Sequence, residues 1–225
     1  MFDEQRDRAL GAGGGELLEI IEALAEHEPV RDVYLWAVRQ IEDPSLPVRL
    51  FAVQVLERLA FNRPKFSAEA AEAIRPRLTA EDDPEVLESL VSAYAEFRHP
   101  HEVGELRQLM AHPDDLVRAQ VAWRLDAIEP LLVLAYDAVG EVRGNALANL
   151  FRRTEPGTTA VQQAYADHRD DDNEDARIES LAGLARDGDE DALAVLHAIA
   201  AVQQGFTAQS RIDEIDFRRS LHFGH

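Results

Sequence analysis

The chain has 225 residues, no cysteine, and 23 basic against 43 acidic residues, a formal charge of −20. One or two domains of this length bury roughly 70–75% of the unfolded surface, so a core forms without staples. The missing cysteines exclude a disulfide framework, a cysteine nucleophile and cysteine-held zinc or iron–sulfur. The negative field repels phosphate, which argues against nucleic acid and anionic membrane as partners; a basic partner or bulk solubility is the natural reading of the charge.

The first residues, Met1 to Arg6, are mixed in charge and lead into glycines, not into the apolar core of a secretory signal. No apolar run reaches the roughly 20 residues of a membrane span. A cytoplasmic protein is expected. The run Gly11–Gly15 reads as a flexible linker, which sets residues 1–15 apart from a single domain over 16–225. Beyond it, apolar residues recur at intervals of three and four, and period-two strand patterns are absent. Leu17, Leu18, Ile20, Ile21 and Leu24 form one helical stripe, and Val48, Ala52, Val55, Leu56 and Leu59 a second. Val117, Val121, Ala122 and Leu125 form a third, and Ala146, Leu147 and Leu150 a fourth. The segments 191–203 and 208–222 are expected to close the C-terminal side.

Five segments align on an acidic turn followed by an apolar residue, often with arginine next. They are Asp43-Pro44-Ser45-Leu46-Pro47-Val48-Arg49, Asp82-Asp83-Pro84-Glu85-Val86-Leu87, Pro113-Asp114-Asp115-Leu116-Val117-Arg118, Asp137-Ala138-Val139-Gly140-Glu141-Val142-Arg143 and Asn173-Glu174-Asp175-Ala176-Arg177. The anchors at 48, 86, 117, 142 and 176 are spaced as helix–turn–helix units require. Asp or Asn before each second helix caps its free N–H groups, and proline suits the turn or first helical position.

This pattern resembles HEAT repeats, including the short HEAT-like repeats of the phycobilisome-lyase type, over about residues 30–205. The resemblance implies an all-α fold: a right-handed α-solenoid of about five to six HEAT-like helical hairpins, with ten to thirteen helices and capping elements at the ends. It also implies that Arg49, Arg118, Arg143 and Arg177 form an internal ladder with acidic turn residues of neighbouring units. Leu87 and Ala176 depart from the pattern, at places where arginine and valine are expected.

No catalytic constellation emerges. The acidic runs at 170–175 and 187–191 fail as EF-hand loops. From Asp187 the sixth and twelfth places hold Ala192 and Ala198, and from Asp170 they hold Asp175 and Leu181. HEAT-like deoxyhypusine hydroxylases use four His-Glu pairs for a di-iron site. Here His27-Glu28 and His101-Glu102 do not occupy equivalent repeat positions, and no metal or other cofactor is expected. His99 and His112 read as turn residues and His197 as a packing residue; His222 and His225 are too few for a metal tract. HEAT-like DNA glycosylases place aromatic residues and an aspartate in a basic groove. Trp123 and Asp126 are available, but the charge opposes the phosphate contacts. Neither a phosphate-binding loop nor a Gly-x-Ser-x-Gly elbow is present.

In HEAT solenoids the second helices line the concave face. Counting along them, with Trp123 beside the counted places, gives Gln120, Trp123, Arg124, Asn145, Asn149 and Arg152 as a strip for a protein partner, since Trp and Arg often dominate binding energetics; the alternative is solvated helix faces with Trp123 in the core. The expected function is a non-enzymatic scaffold or adaptor. The alternative is an immunity or inhibitor protein that neutralises a basic toxin such as a nuclease. HEAT-repeat enzymes are the competing class. Neither the oligomeric state nor the partner's identity is encoded legibly.

Overall fold

A computed structural model describes residues 1–97, 104–202 and 206–222. The described residues form helices joined by turns, with no strand. The chain divides into two compact units, 1–109 and 110–225, where the sequence pointed to a single domain over 16–225.

The first unit contains α1 (Phe2–Ala9), α2 (Gly14–Glu26), α3 (Val30–Gln40), α4 (Leu46–Asn62), α5 (Ser67–Ile74), α6 (Arg77–Ala80), α7 (Pro84–Phe97) and α8 (Gly104–Gln108). The expected linker is shorter than its glycines suggest, because Gly14 and Gly15 already belong to α2. The preceding segment is packed: Phe2 meets the rings of His27 and Trp36, and Trp36 Nε1 donates to Asp3 at 3.1 Å. Helix α4 lies against α2, α3 and α7, and α7 also packs on α5. Leu56, Leu59, Ile74, Leu87, Leu90 and Tyr94 are sealed from solvent between them. Apolar side chains of this size each contribute roughly 1.5–3 kcal/mol on burial.

The second unit contains α9 (Asp115–Arg124), α10 (Ile128–Leu134), α11 (Gly140–Arg153), α12 (Thr159–Asp167), α13 (Glu174–Arg186), α14 (Glu190–Val202) and α15 (Phe206–His222). Fifteen α-helices are thus present among the described residues, more than the ten to thirteen expected, because short helices such as α6 and α8 break the longer pattern. Helix α11 packs between α9 and α13, and α13 also meets α12, α14 and α15. The neighbours α9, α11 and α13 run parallel. Asn145 and Asn149 of α11 bond to Ala119 and Ala122 of α9 in that order, and Gly140 and Gly144 approach Asn173 and Ala176.

The turns explain where these helices begin. Asp114 accepts from Leu116 N at 3.0 Å and Asn173 from Ala176 N at 3.0 Å, the N-cap geometry expected from their positions. Asp83 serves α7 in the same way, accepting from Glu85 N at 3.1 Å and Val86 N at 3.2 Å.

Candidate functional site

Three arginines, on α4, α9 and α11, repeat one arrangement, which α7 lacks because Leu87 stands in the arginine place. Arg49 donates from Nε and Nη2 to the two oxygens of Glu81, at 3.0 and 2.9 Å, and from Nη1 to the carbonyls of Asp43 and Pro44. Arg118 forks onto Asp137 at 2.8 and 3.0 Å and binds the carbonyls of His112 and Pro113. Arg143 forks onto Asp171 at 2.9 and 2.6 Å, reaches Asp172 at 2.7 Å, and binds the carbonyls of Asp137 and Ala138. Each guanidinium thus ties the turn behind it to the next turn's carboxylate. Burial pushes the Asp137 and Asp171 carboxyls up, but the arginines and the backbone N–H groups of Val139 and Asn173 hold both below the ordinary range.

Arg177 departs from the expected ladder. Its nearest carboxylate is Glu174 on its own helix, 3.8 Å away. Residues 203–205, between α14 and α15, lie outside the described residues, and their sequence, Gln-Gln-Gly, holds no carboxylate.

The expected strip divides into a structural and an accessible part. Asn149 is a correction: the core encloses it completely. Its Nδ2 donates to the carbonyls of Ala122, at 3.0 Å, and Leu125, at the C-terminal end of α9. Asn145, half-buried, donates to Ala119 O at 3.1 Å. Both amides therefore bridge α9 and α11; Asn149 supplies a donor to carbonyls at the C-terminal end of α9, and Asn145 adds a second bond to a carbonyl inside that helix. Gln120 and Arg124 are half-buried. Trp123 is 38% exposed, and the Arg152 guanidinium lies 3.9 Å from its ring centroid, a close cation–π stack.

Around this stack lie arginines that the repeat count overlooked or left outside the strip. Asn149 Oδ1 accepts from Arg153 Nε at 2.8 Å and from Arg152 Nη2 at 3.3 Å. Arg186 donates to Phe151 O at 2.6 Å and Thr154 O at 3.0 Å, which caps α11. Arg211 of α15 forks onto the buried Glu179 at 2.8 and 2.9 Å and lies over Phe151. The Arg152 guanidinium is held below its ordinary value by burial and by Arg211, with Arg153 adding to the repulsion. The signal for Arg153 and Arg186 was their place in the last turn of a helix, where cations meet exposed carbonyls. For Arg211 nothing in the repeat pattern pointed to α13.

Other sequence candidates lie apart. His112 Nδ1 accepts from Asp114 N, a turn contact. His197 is exposed, which corrects its expected packing role. His99, His101, Glu102 and His225 lie outside the described residues. Among the described residues no three His, Cys, Asp or Glu side chains gather as a metal site, and no helix is long and apolar enough to cross a membrane.

No protein-family model matches the sequence. No curated protein matches it either. Among solved structures, the X-ray structure of YibA from Escherichia coli is similar in fold, with a TM-score of 0.60 at 15% identity. The likeness covers 94% of this chain and 95% of YibA. At that identity it speaks for an all-helical, repeat-like fold and for nothing about activity.

Proposed function

We propose that the protein is a non-enzymatic binding scaffold of the cytoplasm, a right-handed HEAT-like α-solenoid whose α9–α11 face receives a protein partner. The observation that carries this reading is the half-exposed Trp123 with Arg152 stacked on it. Tryptophan and arginine are the residues most enriched among binding hot spots. Neither side chain is required by the core, and the partly covered indole already has a fixed orientation, which lowers the ordering cost of binding. The working surface consists of Gln120, Trp123, Arg124, Arg152 and Arg153. Asn145 and Asn149 support it from below.

The inhibitor reading, capture of a basic toxin by acidic turns, receives less support. Glu81, Asp137 and Asp171 already face arginines of this chain.

The test compares wild-type and Trp123→Ala protein as bait in host lysate, followed by binding of the purified candidate to both. A partner of this face is lost from the variant, at a cost of roughly 1–4 kcal/mol seen mainly as faster dissociation. The same partners with the same affinity on both baits would overturn the reading.

A further inference from the structure

Most arginines of this acidic chain have a carboxylate of their own. Arg49, Arg118, Arg143 and Arg211 are forked onto buried acids, and Arg58, Arg75, Arg77, Arg169 and Arg218 each form an ion pair. Arg152 and Arg153 are the contrast. Among the described residues neither has a carboxylate within salt-bridge distance, and their shared hydrogen-bond acceptor is the amide oxygen of Asn149. Acidic residues outnumber basic ones, 43 to 23, so this lack of carboxylates does not reflect their scarcity in the chain.

Position adds to the effect. The parallel helices α11 and α13 both end in arginine, and α15 lays Arg211 beside them. Arg186 is used as a helix cap and Arg211 is neutralised by Glu179. The local excess of positive charge therefore rests on Arg152 and Arg153. One oxygen accepts from both, so their guanidinium groups converge on one spot. The Arg152 guanidinium lies over the Trp123 ring and uses only Nη2 on Asn149, which leaves its other N–H donors for an acceptor.

We infer that the Trp123–Arg152–Arg153 face takes an acidic peptide segment, with a side-chain carboxylate received between the two guanidinium groups and the neighbouring residue lying against the indole. This rests on the reading of the same face as a protein-binding surface. It assigns the partner's charge, and the sign is opposite to the one that the net charge of the chain suggests. A basic segment would meet like charge here. A nucleic acid needs a track of phosphate contacts, whereas this patch is two arginines wide and flanked by Glu179 and Glu214 in a chain of charge −20.

The experiment uses full-length protein carrying Trp36→Phe, which leaves Trp123 as the single tryptophan of the two. Its emission is titrated with hexaglutamate, hexalysine and a six-nucleotide oligothymidylate at low salt. Hexaglutamate is expected to give a saturable change that weakens as salt is added. Arg152→Ala and Arg153→Ala should each lower that affinity about tenfold or more, with unchanged circular dichroism. Arg8→Ala, an exposed arginine of the other unit, should leave it unchanged. If Trp36→Phe does not fold, 5-fluorotryptophan in the wild-type protein reports Trp123 as its own 19F resonance. Hexalysine or oligothymidylate bound more tightly than hexaglutamate would overturn the acidic-peptide assignment, while the Trp123 response would leave the binding face standing. Equal hexaglutamate affinity in the wild type and both arginine variants would also overturn it. Silence of Trp123 toward every probe, together with a native partner indifferent to Trp123→Ala, would remove the binding face itself.

Discussion

Arg143 is the most heavily committed side chain of the ladder. A guanidinium has five N–H donors, and those of Arg143 meet Asp171 twice, Asp172 once and two carbonyls. Arg143→Ala leaves Asp171 buried without its counter-charge and should cost about 2–4 kcal/mol, read as a lower urea midpoint. Arg143→Lys should recover part of this, since an ammonium keeps the charge but not the fork. Glu81, Asp137 and Asp171 all titrate below their ordinary values: burial opposes this, and arginine and backbone N–H bonds outweigh it. A carboxylate with a depressed pKa contributes its full stability above the unfolded-state value, about 4, and loses it as pH falls through the folded-state value. The melting temperature should therefore drop steeply below about pH 4, less so in Arg118→Ala. Glu179 works in the opposite sense, because burial pushes it up and Arg211 offsets only part of the shift. Arg211→Ala should cost about 3–5 kcal/mol at pH 7, and the deficit should shrink as the pH falls and Glu179 takes up a proton.

Among the elements, close helix approaches depend on single glycines. A Cβ on Gly183 would overlap the ring of Tyr165, which is itself sealed in the core. Gly183→Ala should cost about 1–3 kcal/mol by overpacking, measured by thermal unfolding. Gly15 is the counter-case: it lies in the first turn of α2 with nothing near its missing Cβ. Gly15→Ala should stabilise the protein by up to about 1 kcal/mol through helix propensity and a less disordered unfolded chain. Helix existence was legible in the sequence because Val, Ala and Leu recur at three and four behind an acidic turn; Asp114 and Asn173 cap their helices, whereas α4 and α11 start at Ser45 and Val139 without a side-chain cap. Asn149 was not legible. A polar residue on a counted column resembles a surface residue, and only the meeting of two helix ends turns it into a core bridge. The burial of Glu179 was not legible either, since its partner Arg211 comes from a helix with no repeat signature.

On the scale of the molecule, a charge of −20 does not mean uniform negativity. Within the second unit, α9, α11 and α13 begin among Asp114, Asp137 and Asp171–Asp175 and end with Arg124, Arg152, Arg153 and Arg186. Acid gathers where the helices start and arginine where they stop, in the sense the helix dipole favours. The sum of charges hides this separation of the acidic residues from the arginines. The surplus acid still repels itself. Raising salt from about 0.01 to 0.15 M shortens the screening length from about 30 to 8 Å and should raise the melting temperature. A fall would mean that screened ion pairs outweigh the repulsion. The ladder also governs how such a chain can change in length. Residues 119–143 contain one forward-reaching arginine and the carboxylate that receives the previous one. A tandem duplication of that stretch would hand the copied aspartate to the original Arg143 and leave the copied arginine facing Asp171. Whole repeats can therefore be inherited or lost without stranding a charge, whereas a cut that separates Asp137 from Arg143 strands one. The gene can lengthen or shorten in steps that the fold already accepts.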